Sequence, residues 1–186
     1  MKKQIIFGLV GLMASGKGAA ARHLADKYNA KVFKFSDVLR DMLDRLHIEK
    51  SRETITAMSE AVRDKFGEDT LAKTLAADVS KLDEDIVVVD GFRRIEDLYY
   101  FKDLPNFILV NIDASPEVRY KRLVNRAENA GESTKTFEQF EKDHEIISTE
   151  TTIPEVQAKA EEKIENNGTY EEFMKQVDDL VKKYMQ

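Results

Sequence analysis

The chain has 186 residues, 42% of them hydrophobic and 34% charged, which is enough to bury a sizeable core within a single domain, residues 1–186. Its formal net charge of −6 argues against general nucleic-acid binding, and no apolar run reaches the length of a membrane-spanning helix, so we expect neither kind of partner. The absence of cysteine excludes disulfides and thiolate metal sites and fits a reducing compartment, so we expect a cytoplasmic protein.

Apolar strands and amphipathic helices alternate along the chain. The predicted strands lie at residues 5–10, 32–35, 86–89, 107–112 and 163–165. Helices are predicted after the first strand, at residues 36–47, in two segments between residues 55 and 82, at 94–102, and from residues 116, 136 and 169. Alternation of this kind implies a three-layer α/β/α fold with a five-stranded parallel sheet.

Between the first strand and the first helix lies a sequence of the form G-x-x-x-x-G-K. A loop at that place directs its backbone N–H groups and the positive end of the helix toward one point, where a polyphosphate binds and Lys17 reaches the outer phosphates. The residues expected to bind the cofactor are Gly11, Leu12, Met13, Ala14, Ser15, Gly16, Lys17, Gly18 and Ala19. A signal peptide is the alternative, but two glycines and a lysine within the apolar stretch argue against it.

Polar residues follow the predicted strands at the edge of the sheet where ligands bind, beyond the carboxyl ends. Ser36 and Asp37 follow the second strand, and Asp90 ends the third. A carboxylate at such a strand end can hold magnesium, often through water, whereas the alternative is that Asp90 accepts backbone N–H bonds. The nearby phosphate loop favours the magnesium site.

Arginines beside these positions are candidate phosphate ligands, because a guanidinium grips a phosphate through two parallel hydrogen bonds. Arg93 and Arg94 follow Asp90 directly, and Arg40 lies one turn into the helix after the second strand. The alternative for each of them is a solvated surface charge.

A second group of arginines, Arg119, Arg122 and Arg126, shares one helix face that leads into the polar residues 128–135. A basic face ahead of such a loop suggests a lid that closes over phosphates. The alternative is a solvated face that pairs with glutamates such as Glu117. Of the three, we expect Arg122 and Arg126 to take part in function.

Taken in order, these motifs resemble the nucleoside monophosphate kinases, adenylate kinase above all, over nearly the whole chain. Residues 11–17 match the glycine-rich loop of that family, and residues 35–40 are similar to its S-x-G-D-x-L-R-type segment. Residues 90–94 are similar to its D-G-F-P-R motif, and residues 122–126 to its R-L-x-x-R at the lid entry. Residues 166–169 are similar to an N-x-G-T stretch of related kinases, dephospho-coenzyme A kinases included. The chain also resembles adenylate-kinase-related proteins common in archaea, which carry V-V-V-D-G-I-R and A-S-P-E-x-R-Y segments.

The resemblance implies a P-loop kinase fold with a core of residues 1–35, 83–127 and 137–186, a helical acceptor-binding insertion at 36–82 and a small lid at 128–136. It implies ATP and Mg²⁺ as cofactors, with Asp90 near the metal. The catalytic roles fall to Lys17, Asp90, Arg94, Arg122 and Arg126. The acceptor contacts fall to Ser36, Asp37, Arg40, Gly91, Arg93 and Arg94, and the adenine contacts to the backbone at Asn167 and Gly168.

The chain departs from that family at the loop. The family carries Ser or Thr directly after the lysine or one residue later, where this chain has Gly18 and Ala19, so magnesium would depend on Asp90 and water. The leading hypothesis is ATP-dependent phosphoryl transfer to a nucleoside or deoxynucleoside monophosphate. The alternatives are a dephospho-coenzyme A kinase or other small-molecule kinase, and a non-catalytic nucleotide-binding regulatory module. We expect a monomer or a homodimer.

Overall fold

A computed structural model describes residues 4–126, 135–146 and 151–185 of the chain. Within them, parallel strands form one sheet in the order β2-β3-β1-β4-β5. The strands are β1 Ile5–Val10, β2 Lys31–Lys34, β3 Ile86–Phe92, β4 Phe107–Asp113 and β5 Glu162–Glu165. The predicted α/β fold with a five-stranded parallel sheet is therefore confirmed.

Helices cover both faces of the sheet. Their bounds are α1 Lys17–Tyr28, α2 Phe35–Arg45, α3 Arg52–Phe66, α4 Thr70–Val79, α5 Pro116–Arg126, α6 Phe137–Ile146, α7 Ile153–Gln157 and α8 Tyr170–Tyr184. The buried residues of α1 and α8 pack on one face of the sheet, and those of α2, α3, α4 and α7 pack on the other. We call these the α1 face and the α2 face.

Strand β3 shows why the central strands are apolar at nearly every position. Ile86 and Val88 pack into the core on the α1 face, whereas Val87 and Val89 pack into the core on the α2 face. Because successive side chains of a strand point to opposite faces, a strand covered on both faces must be apolar throughout.

The helix predicted at residues 94–102 is wrong, since the structure has only a 3-10 turn at Ile95–Leu98. The buried carboxylate of Asp97 accepts the backbone N–H groups of Arg93 (2.9 Å) and Arg94 (3.1 Å) and pairs with Arg63 of α3 at 3.1 Å. These bonds close the segment into a tight turn. Because Arg63 lies 34 positions before Asp97, no local sequence pattern could predict the ion pair that helps to form this turn.

A polar cluster ties α1 to α8 on the α1 face. Asp178 of α8 accepts hydrogen bonds from His23 (2.7 Å), Lys27 (2.7 Å) and Tyr28 (2.9 Å) of α1. Burial raises the pKa of Asp178, but the hydrogen bonds from Lys27, His23 and Tyr28 outweigh it and bring that pKa to about 2, below its ordinary 3.8.

Replacing Asp178 by Asn should lower the free energy of unfolding at pH 7 by about 2 kcal/mol, the equivalent of that pKa difference. The lowered pKa means that the stabilisation is present above pH 3.8 and is lost as the pH falls toward 2. Urea unfolding of wild type and variant between pH 7 and pH 2 tests this. The exposed neighbour Asp179 provides the control Asp179→Asn, which should change stability little. Equal losses for the two variants would contradict the cluster's role.

Candidate active site

The phosphate loop joins the carboxyl end of β1 to the first residue of α1, and its backbone conformation depends on glycine at two positions. Gly11 has φ 157° and Gly16 has φ 118°. A Cβ at Gly11 would overlap the carbonyl oxygen of Ile112, and a Cβ at Gly16 would overlap the side-chain amide of Asn166. Ala14 also has a positive φ, of 61°. The loop thus passes close to the backbone of Ile112 and to the side chain of Asn166, in a conformation that favours glycine at both positions.

Gly16→Ala should lower the free energy of unfolding by about 2–4 kcal/mol, because backbone strain and the overlap with Asn166 add. Gly18→Ala is the matched control, since a Cβ there meets no atom within 4 Å and alanine favours a helix by up to about 1 kcal/mol. The two changes should therefore shift thermal unfolding in opposite directions. A tolerated Gly16→Ala would contradict the loop geometry.

Lys17 lies across the mouth of this loop. Its Nζ donates to the carbonyl oxygens of Gly11 (2.6 Å) and Leu12 (3.2 Å). The ammonium is therefore already held at the loop, beside the position that the amides offer to a phosphate.

Asp90 lies on β3, which pairs with β1 on one side and with β2 on the other. Its Oδ1 is buried and has no hydrogen-bond partner among the described residues. Burial raises the pKa of Asp90 above its ordinary value, and the positive charges of Lys17, Lys34 and Arg93 act in the opposite direction. An unpartnered carboxylate oxygen beside a phosphate loop is a suitable magnesium ligand, directly or through water.

Other protein ligands for that metal are few. In the part of the chain that the structure describes, no group of three or more His, Asp or Glu is placed to hold a metal ion. Ser15 carries the loop's hydroxyl, but its Oγ is buried and without a hydrogen-bond partner among the described atoms. Magnesium would therefore depend on Asp90, water and the nucleotide phosphates.

Arg93 and Arg94, the two predicted acceptor arginines after Asp90, differ in exposure and in their contacts. Arg93 is exposed, whereas the Nη1 of Arg94 pairs with Glu68 at 2.7 Å. A cleft of about 270 Å³ opens here, lined by Glu68, Arg94, Ile95, Glu96, Thr152 and Glu155. Gly91 sits at a bulge of β3 with φ 105°.

The predicted acceptor residues of α2 lie at the start of that helix. The carboxylate of Asp37 accepts the backbone N–H of Lys34 at 2.9 Å, which fixes the helix start. Ser36 is partly exposed and Arg40 is exposed. Ser36 and Asp37 lie directly after β2, the strand next to the one that carries Asp90, and Arg40 lies one turn further along α2.

Arg119 and Arg122 of α5 contact carbonyl oxygens of the phosphate loop. Arg122 donates to the carbonyl oxygen (3.0 Å) and Oδ1 (2.9 Å) of Asn166 and approaches the carbonyl of Ser15 at 3.4 Å. Arg119 is buried, approaches the carbonyl of Met13 at 3.4 Å and lies 5.2 Å from the ring centre of Phe140. The side chain of Arg126 and residues 128–134 of the predicted lid at 128–136 lie outside the described residues, so their roles stay predictions.

Asn166 begins the N-x-G-T-like stretch, but the sequence alone assigned it no role of its own. It is buried, donates to the carbonyl of Ser15 at 2.8 Å and accepts from Arg122, so it joins the loop to α5. Its position directly after β5, at the same sheet edge as the loop, was the available signal. The side-chain oxygen of the neighbouring Asn167 accepts the backbone N–H of Ser115 at 2.7 Å, and Gly168 follows it directly. The adenine contacts of the Asn167 and Gly168 backbone stay a prediction.

A parallel sheet with a phosphate loop after β1 and a carboxylate at the end of the adjacent strand defines a protein of the P-loop kinase fold. A sequence profile described as an AAA domain matches residues 10–141. A UPF0200 protein of Sulfurisphaera tokodaii is 32% identical over 180 residues, which cover 97% of each of the two chains. The chain therefore belongs to the AAA-domain family of that profile and to the UPF0200 proteins.

Solved structures share this fold. Shikimate kinase from Bacteroides thetaiotaomicron superimposes with a TM-score of 0.66 over 96% of this chain and 98% of that chain, at 15% identity. A gluconokinase from Sinorhizobium meliloti 1021 superimposes with a TM-score of 0.57 over 99% of this chain and 95% of that chain, at 13% identity. Likeness at such identities shows the fold and leaves the substrate to the site. No helix within the described ranges is long and apolar enough to cross a membrane.

Proposed function

We propose that this protein transfers the γ-phosphoryl group of ATP to a nucleoside or deoxynucleoside monophosphate. The observation that carries the proposal is the neighbouring placement of Lys17 and the unpartnered Oδ1 of Asp90 at one sheet edge, with two arginines directly after Asp90. Phosphoryl transfer needs positioned positive charge and exclusion of water more than covalent chemistry from the protein.

Each residue has a definite part in this proposal. The loop amides and Lys17 would hold the β- and γ-phosphates, and Asp90 would hold magnesium beside them, whose charge would offset the developing negative charge. An oxygen of the acceptor phosphate forms a bond to the γ-phosphorus, and the bond from that phosphorus to the bridging oxygen of ADP breaks. Arg122 and Asn166 both donate to the carbonyl oxygen of Ser15, and we assign them the role of holding the loop in place around the nucleotide phosphates.

Arg94 supplies the acceptor contact that the motif resemblance implies. In this structure its guanidinium pairs with Glu68, whose side chain is 51% exposed. A phosphate dianion makes a stronger bidentate partner for a guanidinium than a solvated carboxylate does. Binding of the acceptor would therefore replace Glu68 on Arg94.

A nucleotide-binding module without transfer activity is the second candidate. It is favoured by Gly18 and Ala19, which provide no hydroxyl for the metal, and by the buried position of the Ser15 hydroxyl. Such a protein would bind ATP at the loop and transfer no phosphate.

The test is ADP formation from ATP and Mg²⁺ across ribo- and deoxyribonucleoside monophosphates and dephospho-coenzyme A. The proposal expects turnover with a nucleoside monophosphate that falls by about 100-fold or more in Arg94→Ala. Arg22→Ala, an exposed arginine of α1, is the control and should keep full activity. Turnover with dephospho-coenzyme A alone would replace the proposed acceptor, and tight ATP binding without any turnover would favour the second candidate.

A further inference from the structure

Lys34 is a cation at the site edge to which no motif assigns a role. It is the last residue of β2, is exposed, and pairs in register with Asp90 across the β2–β3 ladder. Its backbone N–H is bound by Asp37, but its ammonium has no hydrogen bond or ion pair with the described residues. A lysine at this point therefore has its charge available to a ligand.

The alternation of β2 places this ammonium on the same side of the sheet as the phosphate loop. Val32 packs on the α1 face and Phe33 on the α2 face, so Lys34 shares the side of Val32. Asp90 shares the α1 face with Val88 by the same alternation. Helix α1 begins at Lys17 on that face, so the three charged side chains lie along one edge.

The strand order determines the order in which the phosphate loop, Asp90 and Lys34 lie along the sheet edge. Because β3 lies between β1 and β2, Asp90 stands between the phosphate loop and Lys34. The positive charge of Lys34 is close enough to act on the pKa of Asp90 in the same direction as that of Lys17. The donor phosphates occupy the loop side of Asp90, so the side that Lys34 occupies is left for the acceptor.

Arg94, the other positive residue proposed to bind the acceptor, lies among acidic side chains. Arg94 pairs with Glu68, which an acceptor phosphate would have to replace, and its cleft is also lined by Glu96 and Glu155. Near Asp90, by contrast, the positive charges of Lys17, Lys34 and Arg93 act together, and Asp37 is the acidic neighbour that opposes them. Lys17 lies on the loop side of Asp90, so Lys34 is the lysine on the side that faces away from the loop.

We infer that Lys34 binds the anionic group of the acceptor, the phosphate that receives the γ-phosphoryl group. The inference rests on the proposed function and deepens it, because it requires an acceptor that is anionic next to its reacting oxygen. A neutral hydroxyl acceptor would leave this ammonium without a ligand. Lys34 thus becomes a determinant of acceptor class alongside Arg94.

Equilibrium binding tests the inference without relying on turnover. Calorimetry would measure the Kd of nucleoside monophosphates for protein that is saturated with a non-hydrolysable ATP analogue and Mg²⁺. Lys34→Ala should raise the monophosphate Kd about 10- to 100-fold, the loss of one hydrogen bond to a charged group. Lys34→Arg should keep most of the affinity, and Lys31→Ala, an exposed lysine at the other end of β2, should keep all of it.

The outcomes separate this inference from the proposed function. If wild type binds a monophosphate and Lys34→Ala binds it equally well, the inference is wrong and the proposed function stands. If Lys34→Ala instead weakens binding of the ATP analogue, Lys34 belongs to the donor site and the inference is again overturned. If wild type binds no monophosphate, the acceptor proposal and the inference fail together.

Discussion

Replacing Lys17 by Ala should reduce phosphoryl transfer by about 1,000-fold or more while the fold stays intact. The Nζ of Lys17 lies at the mouth of the phosphate loop, on the carbonyls of Gly11 and Leu12. In the G-x-x-x-x-G-K motif the ammonium of Lys17 contacts the outer phosphates. Gly18 and Ala19 provide no hydroxyl that could share this role. Steady-state turnover and the Kd of an ATP analogue would both be measured.

Lys175→Ala provides the matched control for this change. Lys175 is exposed on α8 and belongs to no motif, so its replacement should keep full turnover. The free energy of unfolding of Lys17→Ala should stay within about 1 kcal/mol of wild type, because the hydrogen bonds from Lys17 to Gly11 and Leu12 are partly exposed. Activity that survives in a folded Lys17→Ala would contradict the assignment of the loop.

Replacing Asp90 by Asn should abolish most activity, by about 100-fold or more, and should make the protein more stable. The carboxylate is placed for magnesium, yet its Oδ1 is buried without a hydrogen-bond partner, and burial raises its pKa. A raised pKa means that the folded state disfavours the charged form, so the neutral amide relieves a cost at pH 7. Each kcal/mol gained would raise the unfolding midpoint by about 2–4 °C.

The pH dependence supplies an independent check on Asp90. Because its pKa is raised in the folded state, wild type should gain stability as the pH falls through that raised value toward 3.8, and the gain should be absent in Asp90→Asn. Unfolding would be measured in metal-free buffer with a chelator, since bound metal would favour the charged form. Full activity with unchanged stability in Asp90→Asn would show that this carboxylate neither binds the metal nor bears a burial cost.

The sheet could be predicted from the sequence because its signals are local. The apolar runs of β1, β3 and β4 and the alternation with helices indicate parallel strands without any long-range contact. The start of α8 could also be predicted, since Thr169 and Glu172 form the capping box that their spacing indicates. The phosphate loop was recognisable for the same reason.

The rest depended on contacts between distant residues. The turn at Ile95–Leu98 is set by Arg63, and the back of the phosphate loop is held by Asn166, 151 positions beyond Ser15. Spacing showed that the arginines of α5 share a face, but it could not show that Arg122 meets carbonyl oxygens of the loop and of Asn166. Lys34 carries no periodic signal, because a single exposed lysine at the end of a short strand is common.

Transfer of a radioactive γ-phosphate from ATP is the most direct test of the proposed activity. Wild-type protein would be incubated with labelled ATP, Mg²⁺ and each nucleoside monophosphate, and the products would be separated. The kinase assignment predicts that the label appears in a nucleoside diphosphate at a rate that depends on the acceptor and on Lys17. Label that appears only in inorganic phosphate, or that stays in ATP bound to a folded protein, would contradict it.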